Sequence, residues 1–170
     1  MSYENPAGQA YSGQFPPHYA AQQGYAPRPQ VGFVDAIKQY YRRYAEFGGR
    51  SNRSEYWWVA LYQVIVGFVL GIPYMISLSS YSASVAMATT LEEQQAAAQN
   101  FPAAAMIFAA ILGIWGLAHI VPNIAVLVRR LHDTGRSGWF ALLSFVPFGG
   151  IVLLVFAAME SRPEGARYGA

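Results

Sequence analysis

The sequence predicts an all-α integral membrane protein: a bundle of three transmembrane helices preceded by an amphipathic helix in the membrane interface. Hydrophobic residues make up 54% of the chain and charged residues only 12%, about half the charged share of a typical soluble domain. The apolar residues also come in uncharged blocks rather than at helical or strand spacing. About 20 such residues cross a ~30 Å hydrocarbon core, whereas buried helices of soluble proteins seldom have more than ~14. We therefore predict spans at residues 57–78, 103–128 and 138–159.

Residues 1–30 differ from the rest of the chain in composition. They are rich in Pro, Gln, Tyr and Gly and contain no Ile, Leu or Val. Such a segment buries too little apolar surface to offset the entropy lost on ordering. We predict a disordered cytoplasmic tail here and a membrane domain over residues 31–169. No signal-peptide pattern precedes the first apolar run, so we expect the first span to serve as an uncleaved insertion signal.

Residues 31–47 form the predicted amphipathic helix, which Gly48 and Gly49 would end. Its apolar face would hold Val34, Ile37, Tyr41, Tyr44 and Ala45, with charged residues around the remainder. Basic residues beside an aromatic face suit a helix lying in the membrane interface. A solvent-facing helix packed on the bundle is the alternative.

Capping residues mark the ends of the other predicted elements. Thr90 with Glu93 forms a capping-box pattern within the loop at residues 79–100, and Ser137 precedes the third span. The third span contains Pro147 and a Gly149-Gly150 pair. These residues predict a kink, and they leave open a re-entrant or split segment.

The distribution of Lys and Arg predicts the orientation. Five lie shortly before the first span, none between the first two spans, three between the second and third, and two after the third. Basic residues concentrate on the cytoplasmic side of a membrane. Three spans would therefore place the N-terminus in the cytoplasm and the C-terminus outside, whereas a re-entrant third segment would return the C-terminus to the cytoplasm.

The stretch RRLHDTGRSGWF, residues 129–140, concentrates charge between two apolar runs. Arg129 and Arg130 lie one helical turn from Asp133, so we predict that Asp133 is the counter-ion of one of them. An arginine from FGGRSNRSEYWW, residues 47–58, is a further candidate partner. The predicted structural or interaction cluster consists of Arg50, Arg53, Glu55, Arg129, Arg130, His132, Asp133, Arg136 and Trp139.

Two polar residues within the second span lie on the helix face that leads to Arg130. His119 and Asn123 precede Arg130 by eleven and seven residues. Ionisable groups inside a membrane are costly and usually face the bundle interior. This polar stripe predicts either hydrogen bonds between helices or a path for a proton or solute.

The two charged stretches resemble the signature of the bacterial inner-membrane proteins known as domain of unknown function 805, the YhaH-like family. RRLHDTGRSGWF is similar to that family's RRLHD stretch followed by SGW. FGGRSNRSEYWW is similar to its G-R-x-x-R-x-E-[FY]-W pattern through Gly49, Arg50, Arg53, Glu55, Tyr56 and Trp57. The tail EGARYG, residues 164–169, departs from the family's E-N-x-Y-G at Ala166, so no role carries over for it. The resemblance spans residues 33–169 and implies a multi-pass protein of the bacterial inner membrane with no agreed activity.

The residue types present favour a non-enzymatic membrane module. The sequence has no HExxH, GxSxG or P-loop motif, no acidic pair at metal-binding spacing and no Cys. We expect no catalytic residue, cofactor, metal or nucleic-acid partner. We predict binding to anionic lipid headgroups or a protein partner through the charged cluster, and a second copy of the chain is one such partner. A small oligomeric transporter or channel subunit that uses the polar stripe is the alternative.

Overall fold

The computed structural model describes residues 28–169, and within that range every regular element is a helix. The α-helices are α1 (Phe33–Arg42), α2 (Arg53–Met87), α3 (Leu91–Gln99), α4 (Ala103–Asp133) and α5 (Gly149–Ala158), with 3₁₀ helices at Gly138–Phe145 and Pro163–Tyr168. The all-α prediction is confirmed. The tail predicted at residues 1–30 lies outside the described residues except for its last three.

Helices α2 and α4 have the length and composition of membrane-crossing helices. In the part of the chain that the structure describes, they are the two that are long and apolar enough, at 35 and 31 residues. Only 6% and 11% of their most apolar windows are buried inside the protein. A core helix of a soluble protein would be mostly buried, whereas a helix in a bilayer turns its apolar side chains outward to lipid.

Helix α2 is longer than the predicted span at residues 57–78. It continues to Met87 through a Ser- and Ala-rich stretch that we predicted to be a loop. In this stretch the Ser80 hydroxyl donates to the carbonyl of Ile76 at 2.6 Å and the Ser84 hydroxyl to that of Tyr81 at 2.7 Å. Serine side chains that bond to the preceding turn are accommodated within a helix. Thr90 and Glu93 then form the predicted capping box of α3.

Helix α1 is shorter than predicted, and a different face of it is buried. It ends at Arg42 rather than at Phe47. Its buried residues are Ala36 and Tyr40, while Val34 and Tyr41 of the predicted apolar face are exposed. The reason is that polar partners of the Tyr40 hydroxyl lie on α2 and α4, and a tyrosine can be buried where its hydroxyl is satisfied.

The third apolar segment is split rather than one continuous transmembrane helix. A 3₁₀ helix, Gly138–Phe145, is followed by a turn and then by α5. Ser137 caps the 3₁₀ helix as predicted, by accepting a bond from the Trp139 amide. Phe148 in the turn has a left-handed backbone, with φ of 64°, and Pro147 lacks the amide that a helix needs. The third segment is therefore not one continuous helix, and the alternative of a split segment describes the structure.

The described chain divides into two compact units. The first contains residues 28–29, Gly48–Arg53 and residues 128–169, and the second contains Gln30–Phe47 and Ser54–Leu127. In the second unit Tyr40, Val59 and Val126 form a small core against which Ile37 and Tyr56 pack. The charged cluster lies mainly in the first unit and the polar stripe in the second.

Candidate functional site

A buried ion pair lies at the C-terminal end of α4. The Arg130 guanidinium and the Asp133 carboxylate approach to 2.5 Å, and their side chains are 0% and 1% exposed. The Ser161 hydroxyl donates to the same Asp133 oxygen, also at 2.5 Å. Arg130 is one of the counter-ions that the sequence predicted for Asp133. Burial makes this pair sensitive to the removal of either partner, because the remaining charge would be stranded.

Arg130 also bonds backbone carbonyls at the end of α5. Its Nε donates to the carbonyl of Ala157 at 3.0 Å, and a terminal nitrogen donates to the carbonyl of Met159. The last carbonyls of a helix have no partner within the helix, and a cation is favourable there. Arg130 therefore joins the end of α4 to the end of α5.

Two further arginines of the cluster are buried beside Arg130. Arg129 is fully buried, and its carbonyl accepts a bond from the Ser51 amide at 3.0 Å. Arg50 is almost fully buried, and its Nε donates to the carbonyl of Gly169 at 2.8 Å. Because Arg50, Arg129 and Arg130 lie inside the protein, the predicted headgroup contact cannot be made by these three side chains.

His132 contacts the C-terminal segment, by which we mean residues 160–169. Its ring stacks on that of Tyr168, with centroids 3.9 Å apart and planes 5° apart. Nδ1 lies 3.1 Å from the carbonyl oxygen of Gly49, and since a carbonyl only accepts, Nδ1 carries the proton. Gly165 packs against the same turn, where a Cβ would lie 2.6 Å from the His132 carbonyl oxygen. This position accepts only glycine.

Gly135 supplies the turn after α4. Its φ is +76°, in the left-handed region that glycine adopts without strain. The Gly135 amide donates to the carbonyl of His132 and the Arg136 amide to that of Leu131, each at 2.9 Å. These two bonds form a Schellman motif. The turn leads directly into the 3₁₀ helix of the third segment.

The remaining predicted cluster residues lie in different surroundings. Arg53 and Trp139 are exposed, Trp139 to 78%. Arg136 lies over the Phe156 ring at 4.0 Å, and burial, with the neighbouring Arg162, lowers the pKa of its guanidinium. Glu55 is buried and belongs to the second unit.

The two residues of the polar stripe take part in a network of tyrosines in the second unit. The Tyr40 hydroxyl donates to Oδ1 of Asn123 at 2.7 Å. The Gln63 amide donates to both groups at 2.8 Å. Burial, and then the neighbouring Tyr41, raises the pKa of the Tyr40 hydroxyl well above its usual range, so it stays protonated as a donor.

His119 is held in one tautomer by its neighbours. Its Nδ1 lies 2.8 Å from the Trp115 carbonyl and must donate to it, so Nε2 accepts from the Tyr41 hydroxyl at 2.9 Å. The Tyr62 hydroxyl lies 2.6 Å from that of Tyr41 and donates to it. Three aromatic neighbours and two hydrogen bonds hold the His119 ring in its orientation.

Sequence reasoning missed the residues that complete the first unit. Ser51, Ser161, Gly165 and Tyr168 all contact the turn around Asp133 or the arginines before it. The signal that could have found the last two was the tail EGARYG, whose partial resemblance to the family pattern we set aside because of Ala166. Ser51 lies in FGGRSNRSEYWW between two recognised arginines, and nothing in the sequence marked it. Among residues 28–169 no group of three or more His, Cys, Asp or Glu is placed to hold a metal ion.

Two long apolar helices with little of their surface buried inside the protein define a helical membrane protein. The chain belongs to the family described as protein of unknown function (DUF805), whose profile matches residues 44–170. It is 36% identical over 129 residues to the inner membrane protein YhaI of Escherichia coli (strain K12), covering 75% of this chain and 86% of that protein. It is 33% identical over 129 residues to the inner membrane protein YhaH of the same organism, covering 75% and 88%. No solved structure matches the chain.

Proposed function

We propose that the protein is a non-enzymatic module of the bacterial inner membrane. Helices α2 and α4 cross the membrane, and the N-terminus lies in the cytoplasm. Its relatives YhaI and YhaH are named inner membrane proteins. All eleven Lys and Arg lie before residue 54 or after residue 128, and the connection between the two helices carries only Glu92 and Glu93. By the positive-inside rule the flanks of the two helices are cytoplasmic.

The observation that carries the proposal is that the basic residues differ in burial. Arg50, Arg129 and Arg130 are buried, so they serve the fold. Arg50 and Arg130 donate to backbone carbonyls, and Arg130 also donates to Asp133. The exposed basic residues are Lys38, Arg42, Arg53, Arg162 and Arg167. We assign the contact with anionic headgroups to this exposed group. Each basic side chain near an anionic leaflet contributes ~1 kcal/mol.

The alternative of a transporter is less well supported. A solute or proton path would use His119 and Asn123, but both are engaged in hydrogen bonds with tyrosines and Gln63. These contacts hold α1 against α2 and α4. They are hydrogen bonds between helices, the first of the two roles predicted for the polar stripe.

A lipid-dependence measurement tests the headgroup assignment. The thermal stability of the protein is measured in nanodiscs of neutral phosphatidylcholine and in nanodiscs that also contain phosphatidylglycerol. We expect the anionic lipid to raise the melting temperature, less so at high salt. Replacing the five exposed basic residues by Gln should remove the effect, whereas the control Glu92→Gln/Glu93→Gln should keep it. An equal lipid effect in both variants would refute the assignment.

Cysteine labelling tests the orientation, because the chain has no native Cys. Two exposed positions, Ala45 and Ala96, lie on opposite sides of the proposed topology. A membrane-impermeant maleimide should label Ala96→Cys in cells whose outer membrane alone has been opened. It should label Ala45→Cys only after the inner membrane is permeabilised. The reverse pattern would show that the orientation is inverted.

A further inference from the structure

The two arms of the third segment are each too short to cross a bilayer. The 3₁₀ helix Gly138–Phe145 has 8 residues and α5 has 10. At about 2.0 and 1.5 Å rise per residue they measure roughly 16 and 15 Å, half of a ~30 Å hydrocarbon core. Either arm reaches only to about the middle of the membrane.

Close backbone contact at the turn holds the two arms together. A Cβ on Gly149 would lie 1.8 Å from the carbonyl oxygen of Leu143, so this approach is open to glycine alone. Phe140 and Phe156 pack edge to face across the arms, with ring centroids 5.8 Å apart. The arms therefore form a closed hairpin.

The tip of the hairpin is apolar, and its backbone bonds are made within it. Phe145 and Phe148 are 79% and 82% exposed. The amides of Val146, Gly149 and Ile151 donate to carbonyls within the turn at 2.9–3.0 Å. An exposed phenylalanine tip would be unfavourable in water. It suits hydrocarbon, where the backbone must satisfy its own hydrogen bonds.

The chain on both sides of the hairpin contacts the turn at the end of α4, residues 132–135. Before it, Gly138 lies against His132. After it, the Arg162 amide donates to the carbonyl of Asp133 at 2.9 Å, and the Arg167 guanidinium donates to that of Gly135 at 2.8 Å. The Gly49 amide donates to the carbonyl of Tyr168 at 3.2 Å. Groups in hydrogen-bond contact cannot lie on opposite faces of a bilayer.

We infer that the third segment is a re-entrant hairpin, which enters one leaflet from the side of RRLHD and leaves on that side. The C-terminal segment is the latch that holds it there. The 22 uncharged residues from 138 to 159 would measure about 33 Å as one α-helix, enough to cross the membrane. The latch contacts to Asp133, His132 and Gly49 therefore exclude a topology that the apolar length alone would allow. The inference therefore favours the second of the two predicted topologies, in which the C-terminus returns to the cytoplasm.

Single cysteines at two exposed positions test the hairpin. Glu160→Cys marks the latch and Phe148→Cys marks the tip, with Ala45→Cys and Ala96→Cys as the references for the two sides. The Glu160→Cys variant should be labelled only under the conditions that label Ala45→Cys. Phe148→Cys should resist the impermeant reagent from both sides until detergent is added. Labelling of Glu160→Cys together with Ala96→Cys would overturn the hairpin.

The same four variants separate this inference from the proposed orientation. If Ala45→Cys and Ala96→Cys exchange their labelling conditions while Glu160→Cys still follows Ala45→Cys, the orientation fails and the hairpin stands. If Phe148→Cys is labelled in intact membranes, its tip lies in water and the leaflet insertion is wrong.

Two glycine substitutions test the closed turn and the latch. Gly149→Ala should reduce the folded yield several-fold, because its Cβ meets the backbone of the other arm, whereas the control Gly150→Ala has nothing within 4 Å and should match wild type. In the latch, Gly165→Val combined with Glu160→Cys should yield a fraction of molecules labelled from the side of Ala96. Labelling that stays wholly on the side of Ala45 would show that the latch does not determine the topology.

Discussion

Replacing Asp133 by Ala is expected to destabilise the protein strongly. The substitution leaves the Arg130 guanidinium buried without its counter-ion and removes the acceptor of the Ser161 hydroxyl. Removing one partner of a buried pair typically costs about 3–5 kcal/mol. Because both side chains are at most 1% exposed, we expect Asp133→Ala to lower the free energy of unfolding by an amount in this range.

A second ion pair in the same chain provides a matched control. Arg43 and Glu46 are also an arginine and an acid three residues apart, at 2.9 Å, but the Glu46 side chain is 54% exposed. An exposed pair contributes at most about 1 kcal/mol. Glu46→Ala should therefore change the stability much less than Asp133→Ala, although spacing and chemistry are alike.

A double-mutant cycle measures the pair itself. Unfolding of Asp133→Ala, Arg130→Ala and the double variant is followed by circular dichroism in mixed detergent micelles with increasing sodium dodecyl sulfate. The double variant should recover part of the loss, with a coupling energy of about 1–3 kcal/mol. Coupling near zero, or Asp133→Ala as stable as wild type, would refute the assignment of a buried pair. The carbonyls of Ala157 and Met159 make Arg130→Ala the more damaging single change.

Three further predictions concern separate parts of the chain. Gly135→Ala should lower the free energy of unfolding by roughly 1–2 kcal/mol, since Ala is strained at φ +76°. An unchanged melting curve would contradict the left-handed conformation of Gly135. Tyr40→Phe should cost about 1–2 kcal/mol by removing the donor to Asn123, and Asn123→Ala should add little on that background. Bonds from the Thr89 and Thr90 amides lower the pKa of the Glu93 carboxyl group in the folded protein. Glu93 therefore stabilises α3 fully at pH values above the pKa it has in the unfolded chain, and this stabilisation is lost as the pH falls through its lowered pKa in the folded protein. Amide-exchange protection of α3 should therefore fall below about pH 4, and Glu93→Gln should abolish that pH dependence.

The long helices could be predicted from sequence because their signal is local. An uncharged run of more than 20 apolar residues has few alternatives to a membrane helix. Their ends were harder to place, and α2 extends nine residues past the predicted span, to Met87. Ser and Ala are compatible with a loop and with a helix alike, so composition does not distinguish the two.

The site was predictable only where its contacts are close in sequence. Arg130 and Asp133 lie three residues apart, so helical geometry alone suggested the pair. Ser161 joins Asp133 from 28 residues away, and Gly169 joins Arg50 from 119 residues away. Such contacts have no period in the sequence. The same limit explains the third segment, where Pro147 and Gly149 indicated a break but not the direction of the chain beyond it.

The charges of RRLHDTGRSGWF serve two purposes at different times. Positive charge directs orientation while the chain is being inserted, when the side chains are still hydrated. In the folded protein Arg129 and Arg130 are buried. The burial of Arg130 needs partners that are synthesised later, since its bonds to Ala157 and Met159 and the bond of Asp133 to Ser161 all involve residues downstream. Under the proposed topology, we expect the arginines to hold the end of α4 at the cytoplasmic face until those residues emerge. Once they emerge, the same arginines fix the end of the hairpin beside Asp133. A charge-preserving Arg130→Lys variant should therefore insert correctly but fold poorly, because an ammonium group cannot reproduce the guanidinium's contacts with two carbonyls and a carboxylate.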